Sequence, residues 1–137
     1  MSAATVRTPA ETADDRRNVL TKLYRAFNNR DIDEALAHLA PGVDWANGMT
    51  GGREAGREAV RRYWTKQWSE VDSRAEPLAI DFDESGKAHV RVDLLVRSLD
   101  GKVLLNRQAV HVYEFDGPFI SRMTIVELEK QDDEEDE

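Results

Sequence analysis

The sequence predicts an α+β fold in which helices come first and a curved antiparallel sheet follows, wrapped around a helix-lined pocket. Three observations carry this. Apolar residues recur at helical spacing through the N-terminal half, from Val19 to Val71. From Arg74 onward they alternate with polar ones, the period of a strand. Finally, His111 to Glu127, HVYEFDGPFISRMTIVE, reads as two alternating strands joined across Asp116-Gly117-Pro118, a strong hairpin signal.

The elements follow in order. Thr8-Pro9 precedes a helix of about twenty residues, with Val19, Leu20, Leu23, Tyr24 and Phe27 on one face, and Asn28-Asn29-Arg30 ends it. Asp31 can cap a second, short helix that turns Ile32, Ala35, Leu36 and Leu39 inward, and Glu34 completes a capping-box spacing. Pro41-Gly42 stops it. A short strand over Val43–Met49 leads through a glycine-rich turn into a third helix, Gly56 to Val71, whose stripe of Val60, Trp64, Trp68 and Val71 belongs to the core. Four strands are expected near 75–83, 87–97, 103–115 and 119–127, with turns at Glu84-Ser85-Gly86, Asp100-Gly101 and Asp116-Gly117.

Composition sets the limits. With 137 residues the chain makes one domain, and with no cysteine it has no disulfide, no thiol nucleophile and no cysteine metal site. The start lacks an apolar signal core and no segment reaches membrane-spanning length, so a cytoplasmic location is expected. Residues 127–137 hold eight acids and one lysine, a net −7 of the total −8, which leaves −1 for residues 1–126. The acidity is a property of the tail. The expected organisation is therefore a flexible N-terminus over 1–8, a domain over 9–128 and a disordered acidic tail over 129–137. There is no basic patch with interleaved aromatics, which argues against nucleic acid. No glycine-rich phosphate loop or nucleophile elbow occurs, and His89 and His111 lack a third ligand at useful spacing, so no cofactor and no metal are expected.

The run LYRAFNNRDIDEALAHLAPGVDW, then GREAVRRYW, then RQAVHVYEFDG, resembles the nuclear transport factor 2-like superfamily over residues 12–128, and within it the SnoaL-like proteins. The resemblance implies a cone-shaped, cystatin-like α+β barrel closed by three helices. It also implies a small-molecule cavity, and commonly dimers through the outer sheet face. Relatives include polyketide cyclases, ketosteroid isomerases and limonene epoxide hydrolases, so the scaffold is informative for architecture and poor for chemistry. Against the isomerases, the resemblance puts Asn47 at the general-base position, His111 at the polarising position and Tyr24 within one residue of the hydroxyl donor. An amide cannot take a proton. Against the epoxide hydrolases, Trp45-Ala46-Asn47 and Arg91-Val92-Asp93 match the residues that hold and deprotonate water, although Trp45 replaces a tyrosine and Ile125 stands where a second aspartate belongs.

These matches nominate Asp93, Arg91, Asn47 and His111 as catalytic, with Tyr24, Trp45, Trp64, Arg107 and Met123 around the ligand. Whether Arg91 and Asp93 face the cavity depends on one turn. A three-residue loop over Leu99-Asp100-Gly101 sets His89, Arg91 and Asp93 opposite His111, Ala109 and Arg107, while a two-residue turn puts Val90, Val92 and Leu94 on that side. The three-residue loop is the expectation. It leaves Val90, Val92, Leu94, Val96, Val110 and Val112 on the outer face, an apolar surface that a homodimer would cover. The function expected is that of an acid–base enzyme of hydrolase, cyclase or isomerase type acting on a small apolar substrate with an oxygen function. The alternative is a non-catalytic binding or dimeric scaffold protein of the same fold.

Overall fold

The computed structural model describes residues 9–127. The segments expected to be a flexible N-terminus and an acidic tail lie outside the described residues. Among the described residues no helix is long and apolar enough to cross a membrane.

Helix α1 (Pro9–Asn28) opens on proline, whose missing N–H costs nothing in a first turn. It buries Leu20, Leu23, Tyr24 and Ala26. Helix α2 (Ile32–Ala37) is capped as expected, with the Asp31 carboxylate accepting from the Glu34 amide. Strand β1 begins at Leu39 and runs through Pro41-Gly42 to Ala46. Its first residues therefore belong to the sheet and not to the preceding helix. Strand β2 (Arg53–Ala55) is a three-residue edge hidden in the glycine-rich segment, and it pairs with β1. Helix α3 (Arg57–Glu70) starts behind Gly56, which sits at φ 91° and so takes a conformation that a side chain would strain.

The long strands β3 (Val71–Phe82), β4 (Ala88–Ser98), β5 (Val103–Asp116) and β6 (Phe119–Glu127) form an antiparallel meander. The sheet order is β2-β1-β6-β5-β4-β3, unclosed, with one parallel pairing between β1 and β6. That pairing departs from a purely antiparallel sheet, and it joins the first strand of the described residues to the last. Extra residues at Leu78, Ser121 and Leu104 interrupt the ladders, and bulges of this kind bend and twist a sheet. The concave side holds the core: Val90, Val92, Ala109, Tyr113, Ile120 and Met123, packed against α1 and α3. Asn28 closes part of the β3 edge by donating to the Ala75 carbonyl and accepting from its amide.

The register between β4 and β5 corrects the sequence expectation. The loop is the three-residue one, with Ser98 N–H to Lys102 O at 2.7 Å and Gly101 at φ 101°. One step along, Leu104 bulges out of β5: Arg97 faces Val103 but Val96 faces Leu105. The slip turns every later pair, so Val90, Val92 and Leu94 lie opposite His111, Ala109 and Arg107. Arg91 and Asp93 consequently point to the convex face, where both are exposed. The apolar surface on which dimerisation was expected changes with them. Val90, Val92, Leu94 and Val96 are on the inner face, and the convex face retains Leu95, Val110, Val112 and Val126 among charged and amide side chains.

Candidate functional site

A cavity of about 340 Å³ opens between the concave sheet and helices α1 and α3. Its floor is aromatic. Trp45 meets Trp64 edge-to-face at 5.4 Å and Tyr113 at 6.1 Å, a geometry that lets ring edges lie on the negative faces of their neighbours. Met123 fills the gap beside Trp45 and Tyr113, its strand neighbours on β1 and β5. Met49, Arg74 and Arg107 stand at the exposed rim.

Three polar side chains cross this apolar floor in one line. The Tyr113 hydroxyl donates to the Tyr24 hydroxyl at 2.7 Å, and Tyr24 meets His111 Nδ1 at 2.8 Å. All three are buried. Tyr24 reaches them from α1, whereas His111 and Tyr113 are two residues apart on β5 and share its inner face. Burial drives the His111 pKa down to about 4, so the imidazole is neutral near pH 7. Burial likewise raises both phenols, with their mutual proximity adding to the effect on Tyr24.

The tautomer follows from counting hydrogens. If Tyr113 donates to Tyr24, and Tyr24 to His111 Nδ1, both hydroxyl hydrogens have acceptors and the one hydrogen left over is on Nε2, at the cavity surface. In the reverse direction the Tyr113 hydrogen has none. A buried donor without an acceptor costs roughly 1–3 kcal/mol, which selects the first direction. His111 therefore carries its proton on Nε2. That atom has no partner among the described residues and is not shut in by protein, which leaves it facing the cavity. The line of tyrosines thus fixes a neutral N–H donor aimed at whatever the cavity holds.

The other nominated residues divide. Tyr24, Trp45, Trp64, Arg107, Met123 and His111 all border the cavity. Asn47 does not: its Oδ1 accepts from the Met49 and Thr50 amides and its Nδ2 donates to Glu54, so both ends of the amide shape the loop at the cavity mouth. Arg91 and Asp93 lie across the sheet, on the far side from His111. Arg53 and Arg57, which could have reached over the mouth, are held elsewhere. Arg53 clasps Asp44 and the Met123 carbonyl, and Arg57 donates to the Leu39 carbonyl. No Asp or Glu side chain borders the cavity among the described residues.

Sequence reasoning missed Tyr63, Gln67, Ser73 and Tyr113. Tyr63 and Gln67 are one helical turn apart and share the face of α3 that carries Trp64, a spacing visible in RRYWTKQWSE. Tyr113 lies at i+2 from His111 and could have been placed beside it by strand alternation alone.

A family model described as "SnoaL-like domain" matches residues 20–123. The chain belongs to this family. No curated protein matches it significantly. Among solved structures, a provisionally named polyketide cyclase from Sinorhizobium meliloti superposes with a TM-score of 0.70 at 22% identity, covering 82% of this chain and 97% of that one. TerC co-crystallized with polyporic acid gives 0.73 at 21%, covering 83% and 92%. A provisionally named ketosteroid isomerase from Kribbella flavida gives 0.67 at 23%, covering 85% and 79%. At such identities the likeness concerns the fold. It agrees with the SnoaL-like, nuclear transport factor 2-like architecture that the sequence resembles.

Proposed function

We propose that this SnoaL-like protein binds a small, largely apolar molecule bearing a carbonyl-type oxygen, and that His111 Nε2–H polarises that oxygen. The observation that carries the reading is the buried Tyr113–Tyr24–His111 line, which ends in a neutral donor open to the cavity. An N–H placed in a water-poor, apolar pocket stabilises charge developing on an acceptor oxygen more than water does. The names of the neighbouring structures, a polyketide cyclase and a ketosteroid isomerase, are compatible with ligands of this chemistry. Proton abstraction by Asp93, expected from the sequence, has no support in the geometry. Binding with polarisation is the reading that the residues present favour over hydrolysis.

The test compares 1-tetralone with tetralin, two molecules of similar shape of which only the first has an acceptor oxygen. By calorimetry the protein should prefer the ketone. His111→Ala should lower ketone affinity up to about tenfold, the worth of one hydrogen bond, and leave tetralin unchanged. His111→Gln, which keeps an N–H near the Nε2 position, should restore part of the preference. Equal affinity for both molecules in the unaltered protein would remove the proposal.

We further propose that two chains pair through the convex face, on the reduced apolar surface of Leu95, Val110, Val112 and Val126. Sedimentation as a monomer at micromolar concentration would remove that reading without touching the first.

A further inference from the structure

We infer that Tyr63, with Gln67 and Ser73 behind it, forms a second hydrogen-bond-donating subsite, which makes the cavity selective for ligands with two acceptor oxygens, of the dicarbonyl or quinone type. The inference rests on the ligand reading above and extends it to a separate wall of the same cavity.

Tyr63 projects from α3 beside the loop at the mouth. Its hydroxyl oxygen accepts from the Gly48 amide at 3.0 Å and from Gln67 Nε2 at 3.0 Å. Gln67 Oε1 in turn accepts from Ser73 Oγ. With two N–H donors on the Tyr63 oxygen, its own hydrogen has no acceptor among the described residues. Rotating the Gln67 amide does not remove the surplus. Tyr63 would then donate to Gln67 Oε1 and Gln67 to Ser73, and the unspent hydrogen would move to the Ser73 hydroxyl. Tyr63 and Ser73 both border the cavity. In either arrangement one hydroxyl hydrogen is left for the ligand.

Burial gives this surplus its consequence. Gln67 and Ser73 are only 8% and 7% exposed, and burial raises the Tyr63 pKa, so the phenol stays protonated. Tyr63 itself is half-buried at the mouth, where water can take its hydrogen while the cavity is empty; a bound ligand displaces that water, so one supplying an acceptor there gains what one lacking it forfeits. The wall around it offers little competition: no carboxylate side chain borders the cavity among the described residues. Two unspent donors, His111 Nε2–H and the hydroxyl of this second chain, therefore face a pocket poor in acceptors. The complementary ligand is a flat apolar body with an oxygen for each.

The experiment adds 1,4-naphthoquinone to the tetralone and tetralin pair, measured by calorimetry; the chain has no cysteine to add to the quinone. The unaltered protein should rank quinone above ketone above hydrocarbon. Tyr63→Phe should lower quinone affinity about tenfold and keep the ketone within about twofold, since the ketone has His111 as its donor. Gln67→Glu at about pH 8 is the second variant, because a carboxylate there takes both hydroxyl hydrogens while the Tyr63 ring stays in place. It should produce the same selective loss of the quinone. A loss shared equally by all three ligands, in either variant, would assign Tyr63 a packing role and overturn the inference, as would no loss at all. Failure of the first reading looks different: His111→Ala would then leave the ketone unaffected whatever Tyr63 does.

Discussion

The two faces of strand β4 carry opposite kinds of residue, and the difference shows what alternation can and cannot decide. Val90 and Val92 on the inner face are fully buried against His111 and Ala109, whereas Arg91 and Asp93, one residue away in each case, are exposed beside Gln108 and Val110. Alternation fixes which residues share a face. It does not say which face is inside. The turn chemistry at Leu99-Asp100-Gly101 pointed one way and the valines the other, and the turn is the one expected, yet the valines are inside. The Leu104 bulge reconciles them, because an extra residue on one strand reverses the sidedness that the turn had set.

The strongest test of this comparison is a charge on each face. Val92→Asp buries a carboxylate with no partner, at a cost of roughly 4 kcal/mol or more, and should leave the chain unfolded or close to it in urea denaturation. Tolerance of Val92→Asp would reverse the faces.

The next effect is a pH dependence confined to the inner face. His111 binds a proton near pH 6.5 when unfolded but only near pH 4 when folded. Between these values the unfolded state holds more protons, so stability falls as pH drops through that window, by about 3 kcal/mol if the whole shift is realised. Above pH 6.5 the contribution is constant. His111→Gln should remove this component, seen as a flatter stability profile than that of the unaltered protein between pH 6.5 and 4. Identical profiles would mean that His111 titrates normally, and the neutral-donor reading would go with it.

A smaller effect separates the tyrosines. Tyr113→Phe takes away one buried hydrogen bond, worth about 1 kcal/mol, and leaves His111 Nδ1 as the acceptor for the Tyr24 hydrogen. The His111 ring should then keep its Nε2–H form, whereas Tyr24→Phe, which removes the donor to Nδ1, should let both tautomers populate, as nitrogen-15 chemical shifts distinguish. A single Nε2–H form in Tyr24→Phe would show that Tyr24 does not set the tautomer.

The legible parts of the molecule were those governed by local pattern. Helix α1 is bounded by Pro9 and Asn28 as read, Asp31 caps α2, and the turn at Gly101 has the loop length inferred from the sequence. The illegible parts depend on long-range pairing. Nothing near Arg53 announces a strand, because β2 exists only through its pairing with β1. Leu104 looks like any other apolar strand residue, and its bulge appears only when both strands are in place. The site divides in the same way. His111 was recognisable by resemblance, but Tyr24, which links it to Tyr113, lies 87 residues from His111 and 89 from Tyr113 along the chain. Asn47 was misread for a local reason: an asparagine before Gly48 is as well suited to bonding the next amides as to holding water.

The smallest expected effect is at Asp93, and it is informative because the sequence reading nominated that residue as catalytic. On the convex face Asp93 stands directly across from Glu76 on β3 and Gln108 on β5, and both of these are exposed. Like charges directly opposite on adjacent strands repel, while solvent screens most of that repulsion. Asp93→Asn removes one of the two charges without altering shape. Stability should therefore change by less than about 0.5 kcal/mol, and in the stabilising direction. Affinity for 1-tetralone should not change, since the sheet separates Asp93 from the cavity. An inward Asp93 would give the opposite pattern, with ligand affinity altered and a buried carboxylate neutralised. Raising the salt concentration sharpens the distinction. If the repulsion from Glu76 is the cause, the stability difference between Asp93→Asn and the unaltered chain should shrink at 1 M salt, where charges further apart than about 3 Å are screened.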